Sequence, residues 1–378
     1  MDSFERPLLQ IRLENFLSFG PDTPPLDLQN LNVLIGPNGS GKSNLIEALA
    51  VMRSTPIPPA VSNYDLRGVL RRGGGAQAWI WKGSEIATLE TVVSDLKSEV
   101  SLRHELRFSA DKQGVHLDEE SIQSKAVGTV GADVLLGRIP PSGDARSSVL
   151  SQWRDRERYP GIARLTEVYE NIRIYREWAF GRNTAFREPQ RADERNDRLE
   201  EDFSNLGLFL SRLRKQPAVK AAILDGLKDL YEGFTDFEVF VEGGTVQLFF
   251  TEGDYTIPAT RLSDGTLRYL CLLAILCDPS PPPLICIEEP ELGLHPDILP
   301  KLADLLVAAS ERTQIIATTH SDVLVDALTE RPEVVVVCEK RDGKTEMRRL
   351  RKEDLADWLE KYRLGQLWIR GEIGGTRW

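Results

Sequence analysis

The sequence predicts an α/β fold: a mixed sheet flanked by helices, with an antiparallel β subdomain and a helical insertion. Three observations point there. A glycine-rich loop at 36–43 separates the apolar run Leu31–Ile35 from a helical pattern beginning at Asn44. From residue 266 onward, short apolar runs alternate with helical patterns, the rhythm of parallel strands buried on both faces. Elsewhere runs alternate between apolar and polar residues, most clearly at 237–242 and 245–250 around Gly243-Gly244, which reads as a hairpin.

The whole chain sets bounds on function. It has 378 residues and a formal net charge of −11, so a broadly basic coat for nucleic acid is not expected, although a local basic groove is. Cys271, Cys277, Cys286 and Cys338 lie apart in apolar runs and form no C-x-x-C pair, which fits free thiols in a reducing compartment. The first seven residues are acidic and lack the apolar segment of a secretion signal. No run approaches the ~18 apolar residues of a membrane span. The expected location is the cytoplasm.

Taken in order, residues 8–16 alternate well enough for a first strand, and 26–28 can pair back onto it. Leu31–Ile35 is a buried strand feeding the loop, and Pro56, Pro58 and Pro59 end the helix that follows. Residues 71–75 read as a turn, and 78–81, 87–93 and 99–108 as strands of a sheet with one wet face. The signal weakens from 111 to 214. Ile162, Leu165, Val168, Tyr169 and Ile172 suggest a helix over 162–174, the charged stretch 182–198 a mobile loop, and 203–213 a helix. Beyond the hairpin, helices are expected at 266–276, 298–309 and 323–328, and strands at 284–287, 314–318 and 334–337. This divides the chain into an N-terminal half-core at 1–110, a mainly helical lobe at 111–235 and a C-terminal half-core at 236–378.

The loop carries the chemistry. Gly36, Pro37, Asn38, Gly39, Ser40, Gly41, Lys42 and Ser43 match G-x-x-x-x-G-K-[ST] in the strand–loop–helix setting that the motif requires. Glycines let backbone N–H groups wrap phosphates closely, and the helix opening at Asn44 adds the positive end of its dipole. Lys42 is expected on the β- and γ-phosphates, and the Ser43 hydroxyl on Mg²⁺. The chain is therefore expected to bind a nucleoside triphosphate, with Asn44 closing the binding loop.

Two further stretches fit that site. The run 284–289 is a buried strand ending in Glu288 and Glu289. In P-loop ATPases the first such acid holds Mg²⁺ and the second orients the attacking water, so Glu288 is expected in the metal shell and Glu289 as catalytic base. Ser263 stands where a helix begins, before Asp264 and Gly265, and a serine N-cap beside open N–H groups is an anion site.

The order of these motifs, followed by Thr318-Thr319-His320, resembles that of ABC-type ATPases of the SMC/RecF/RecN/OLD branch. The chain looks most like the compact stand-alone ATPases labelled AAA_21, or predicted RecF-like ATPases. The most specific run is 288–296, Glu-Glu-Pro-Glu-Leu-Gly-Leu-His-Pro. Supporting runs are Glu14-Asn15-Phe16 and 364–368. The resemblance covers 8–50 and 258–328 firmly.

What the resemblance implies follows residue by residue. The fold would be an ABC-type P-loop ATPase head that hydrolyses ATP with Mg²⁺. Ser263 and Gly265 would be the signature residues that contact the γ-phosphate held by a second protomer, making a homodimer with ATP as its glue. Residues 291–295 would form the D-loop across that interface, although His295 equally suits the start of the next helix. His320 would be the switch histidine that senses the γ-phosphate. The glutamine that links the site to the inserted lobe is either Gln77 or Gln190. The expected use is DNA engagement in repair or anti-phage defence, with Arg71, Arg72 and the arginines of 182–198 as a candidate groove. The alternative is an ATPase governing a separately encoded effector such as a nuclease. A transporter subunit fits less well, given the long interval between the loop and Ser263.

Overall fold

A computed structural model describes residues 6–59, 64–72, 76–95, 99–111, 114–126, 134–139, 147–178, 181, 184, 187 and 189–375. The parallel rhythm becomes a six-stranded mixed sheet ordered Lys344–Arg349, Val335–Arg341, Leu31–Ile35, Gln314–Thr319, Leu284–Glu288, Ile172–Tyr175. The first two strands form an antiparallel hairpin, and every other neighbour pair is parallel. Alternate residues of the central strands feed two separate cores. Val33, Ile35, Ile285, Ile287, Ile315, Ala317, Val335 and Val337 face one core; Leu34, Leu284, Cys286, Ile316, Val336 and Cys338 face the other. This two-sided burial is why these strands read as unbroken apolar runs. Each fully buried Leu or Ile contributes roughly 1.5–3 kcal/mol relative to leaving it exposed.

The registers fix where the site falls. Glu288 lies opposite Thr318, and Thr319 opposite Ile35, so the glycine loop, the acids and His320 emerge along one edge of the sheet. That edge is the carboxyl end of the parallel strands, where open α/β sheets place their ligands.

A second sheet of six strands is antiparallel, ordered Leu26–Asp27, Leu8–Glu14, Ile86–Asp95, Val100–Asp111, Gly114–Ala126, Val134–Ile139. A third joins Phe234–Glu242, Thr245–Glu252 and Tyr255–Pro258, with Gln190–Arg191 added along Thr245–Glu252. The four cysteines are free. Among the described residues, no helix is long and apolar enough to cross a membrane.

The structure corrects several sequence readings. The mainly helical lobe at 111–235 contains strands as well as helices, because the antiparallel sheet continues to Ile139. A bulge explains why this was illegible: Arg107 pairs with Glu119 but Phe108 with Leu117, so the inward set shifts from Leu117 to Glu120 and Ile122 and the alternation breaks. The helix at 162–174 ends earlier, as Pro160–Glu170. Ile172–Tyr175 then forms a core strand beside Leu284–Glu288, with all four residues buried. Residues 78–81 are not a strand: Ala76–Trp79 is a 3₁₀ turn that draws Trp79 against Phe16, its indole N–H donating to Leu70 O at 2.6 Å.

Part of the charged stretch 182–198 is ordered by pairing, since Gln190 and Arg191 lie opposite Val246 and Thr245. Residues 182–183, 185–186 and 188 of that stretch lie outside the described residues, as do 73–75 of the predicted turn and the side chain of Arg72.

Candidate nucleotide site

The glycine loop is built so that only glycine fits at two points. Gly36 has φ 147° and Gly41 φ 100°, a region that side chains rarely occupy. A Cβ on Gly36 would lie 2.2 Å from Cys338 O, and one on Gly41 2.3 Å from Thr345 Oγ1. The loop is buttressed by residues that its motif does not contain. Thr345 Oγ1 donates to Ser40 O at 2.9 Å and shares a 2.7 Å bond with Ser18 Oγ, to which Asn44 Nδ2 donates at 2.6 Å. Ser18 and Thr345 carried no sequence signal, because they reach the loop only through tertiary pairing.

Helix Lys42–Ser54 opens at Gly41 with no side-chain cap and no acid in its first turn, so its first N–H groups remain available to an anion. Asn38 and Gly39 are exposed at the loop tip, while Lys42 is buried. Its ammonium donates to Gly36 O at 2.7 Å and Pro37 O at 3.1 Å, which curls the side chain along the loop. Burial pushes its pKa down, opposed by the fields of Cys338, Glu289, Glu291 and Glu288. Three carboxylates thus stand within electrostatic reach of the loop lysine.

Glu288 closes its strand facing Ser43. Burial raises its pKa, Arg176 pulls it down, the charges of Glu47 and Glu289 raise it, and a hydrogen bond with Ser43 lowers it. Among the described residues its buried Oε1 has no hydrogen-bond partner. A buried, unpartnered carboxylate oxygen beside a hydroxyl is an oxygen donor set suited to a hard divalent cation, so Ser43 and Glu288 fit Mg²⁺. The longer glutamate is accommodated where an aspartate is commoner.

Of Glu288, Glu289 and Glu291, only Glu289 takes a positive φ, 46°, and its carboxylate is half-exposed. Its N–H donates to Thr318 O (3.1 Å) and Thr318 Oγ1 (3.2 Å), and its carbonyl accepts from Arg268 Nη2 at 2.7 Å. His320 Nε2 stands 3.7 Å from Glu289 Oε1. The His320 N–H donates to Glu291 Oε1 at 2.7 Å, so Glu291 works within its own chain, fastening the histidine strand to the acid turn. Burial raises the Glu291 pKa, against hydrogen bonds from the His320 backbone and Thr319.

The structure therefore brings Lys42, Ser43, Glu288, Glu289 and His320 together. Ser263 and Gly265 lie at the start of the helix whose Arg268 donates to the Glu289 carbonyl. Ser263 caps helix Asp264–Leu276, its Oγ accepting from Thr266 N at 3.1 Å, and among the described residues no hydrogen bond joins it to its own glycine loop. A Cβ on Gly265 would lie 2.9 Å from Gly293 O, so this helix start packs on the 291–295 turn. Both are open to solvent: Ser263 is exposed and Leu292 retains 53% of its surface. His295 caps the 3₁₀ turn Pro296–Ile298 through Nδ1, which accepts from Asp297 N at 3.4 Å.

Of the two glutamines, Gln190 is buried away from the loop, its Oε1 accepting from Gly207 N at 2.7 Å. Gln77 is exposed on the 3₁₀ turn. The arginines of 182–198 are mostly engaged with acids: Arg187 with Asp264, Arg191 with Asp193, and Arg195 with Asp197.

The family model described as "AAA domain, putative AbiEii toxin, Type IV TA system" matches residues 31–326, well over half the chain. The fold is similar to that of an SMC head solved bound to the C-winged helix domain of ScpA, with a TM-score of 0.58, 15% identity, and coverage of 92% of this chain and 99% of that one. It is also similar to the Pyrococcus furiosus Smc head bound to the C-terminal domain of ScpA, with a TM-score of 0.58, 14% identity, and coverage of 94% and 99%. The Pyrococcus yayanosii Smc head gives a TM-score of 0.54 at 11% identity, with coverage of 94% and 99%. No curated protein matches the sequence. A glycine loop closed by lysine and serine, facing a strand that ends in paired acids, has the parts that a nucleotide-hydrolysing site needs. The chain belongs to the AAA domain family that this model describes, as an ABC-type ATPase with the fold of SMC heads.

Proposed function

We propose that two copies of this chain close head to head over ATP, each supplying Ser263 and Gly265 to the γ-phosphate bound by the other. The observation that carries this is the exposure of the helix start within one chain. The hydrolytic groups cluster at the sheet edge, while the helix start at Ser263 and the 291–295 turn pack together, with Ser263 and Leu292 open to solvent and, among the described residues, no hydrogen bond from Ser263 to its own glycine loop. Within each site Lys42 neutralises phosphate charge, Glu289 accepts the proton of the attacking water, and His320 donates to a γ-phosphate oxygen. Ser43 and Glu288 would hold Mg²⁺, which would supply charge neutralisation for the phosphates.

Subunit mixing tests the shared site. Ser263→Arg is expected to bind ATP but not hydrolyse it, and Lys42→Ala to be inactive. In a mixed dimer one composite site is intact, so combining the two inactive variants should restore roughly half the wild-type rate per mixed dimer. A mixture as inactive as its components rules out a shared site.

For the use of that cycle, two readings stand. In the first the closed dimer engages DNA in repair or anti-phage defence. In the second it governs a separately encoded effector. The family description includes a toxin of a toxin–antitoxin system, and two SMC heads of this fold were solved with a ScpA domain bound, which supports a protein partner. The arginine–aspartate pairs of 182–198 weaken the basic groove that the first reading needs. DNA binding that appears only with ATP and falls steeply with salt supports the first reading. Its absence at low salt, with ATP-dependent recovery of one stoichiometric protein partner, supports the second.

A further inference from the structure

We propose that Arg268 is a positioning residue that couples the signature helix to the acid pair in its own chain. It lies on the helix capped by Ser263 and is buried. Its guanidinium donates to the carbonyl of Glu289 at 2.7 Å and lies 4.3 Å over the ring of Trp178. The Trp178 indole N–H in turn donates to the carbonyl of Glu288 at 2.7 Å. One cation–indole pair therefore holds two successive carbonyls, those of both acids that face the glycine loop.

The position of these bonds matters more than their number. Glu289 sits at φ 46°, a conformation that persists only where surrounding groups impose it. Thr318 holds its N–H and Arg268 its carbonyl, so the peptide on each side of the strained residue has a partner. Trp178 is itself braced, stacked 5.4 Å from Phe203. The same helix touches the following turn less than one helical turn before Arg268, where Gly265 meets Gly293 O. A displacement of the helix start is therefore carried to the Glu289 backbone through a buried guanidinium, and a shift of about 1 Å in a catalytic group is enough to slow chemistry by ~100-fold. Planarity is essential to this arrangement: a lysine would keep the charge but neither stack on the indole nor present the same donor.

The inference rests on Glu289 acting on the water, and the test separates the two. ATP turnover, nucleotide affinity and melting temperature are measured for full-length Arg268→Ala, Trp178→Phe, Glu289→Gln and the Arg268→Ala/Glu289→Gln double variant. Arg268→Ala should lower kcat roughly 10- to 100-fold with nucleotide Kd within about twofold of wild type, and should cause no further loss in the Glu289→Gln background. Trp178→Phe keeps the ring and removes only the N–H, so a smaller kcat loss of roughly threefold or more is expected, again at constant Kd. Wild-type kcat in Arg268→Ala overturns the proposal, as does an equal further loss in the double variant. If Arg268→Ala does not fold, Trp178→Phe decides: unchanged kcat, or kcat and Kd lost together, overturns it. If Glu289→Gln itself turns over like wild type, the assignment of Glu289 has failed.

Discussion

Glu289→Gln is expected to slow ATP turnover by roughly 100- to 1000-fold, the usual contribution of a positioned general base, while nucleotide still binds. Glutamine has the size of glutamate but cannot take up the proton of an attacking water. The backbone that presents residue 289 is held through its N–H and carbonyl, by Thr318 and Arg268, so the substitution leaves the turn in place. With hydrolysis slowed, the ATP-bound state accumulates. If that state is a closed pair, the variant elutes as a dimer with ATP and as a monomer without it. Sizing with and without nucleotide, alongside single-turnover kinetics, measures both effects. Wild-type turnover removes Glu289 from the mechanism. Slow turnover with an unchanged elution profile keeps Glu289 but rejects the dimer.

The second large effect belongs to Lys42→Ala, which should abolish measurable hydrolysis and leave the chain monomeric with ATP present. Its ammonium lies along the glycine loop on the carbonyls of Gly36 and Pro37, beneath the first turn of the helix. Truncation removes a buried cation that faces Glu288, Glu289 and Glu291. Phosphate approaching that trio without the lysine meets uncompensated negative charge, so affinity falls along with rate. Because burial already works against the lysine's charge, losing it should leave the folded state largely intact, and the melting transition should be retained. Isothermal titration with ATP, a turnover assay and a thermal melt read the three quantities. Tight binding with normal turnover would show that the loop is not the nucleotide site.

These two substitutions differ in what they separate. Glu289→Gln stops the cycle after nucleotide has bound, and Lys42→Ala stops it before. Both would alter assembly if two copies close over ATP as proposed. Ser263 and Leu292 are exposed and Gly265 is half-buried. Bound ATP would then supply the missing contact between copies.

Local chemistry carries its own signature, and that part of the protein was legible without coordinates. A loop that must wrap phosphate needs glycines at positive φ next to a lysine and a hydroxyl, so Gly36, Gly41, Lys42 and Ser43 were readable from spacing alone. Strands buried on both faces must be apolar throughout, which marked Leu31–Ile35, Leu284–Glu288 and Gln314–Thr319 and put Glu288, Glu289 and His320 at their ends. What the tertiary structure decided lies where contacts are long-range or the period breaks. The bulge at Asp118 hid a long strand by shifting its inward face, and Ile172–Tyr175 resembled the tail of a helix until a parallel neighbour claimed it. Ser18 and Thr345 support the loop across 327 residues of chain, and Trp178 meets Glu288 across 110. No local pattern encodes such pairings, because each requires the sheet to be assembled before the partners are near. Spacing alone marked the groups expected to do chemistry. Only the folded chain decided which of them share an edge and which carboxylate is held at a left-handed turn.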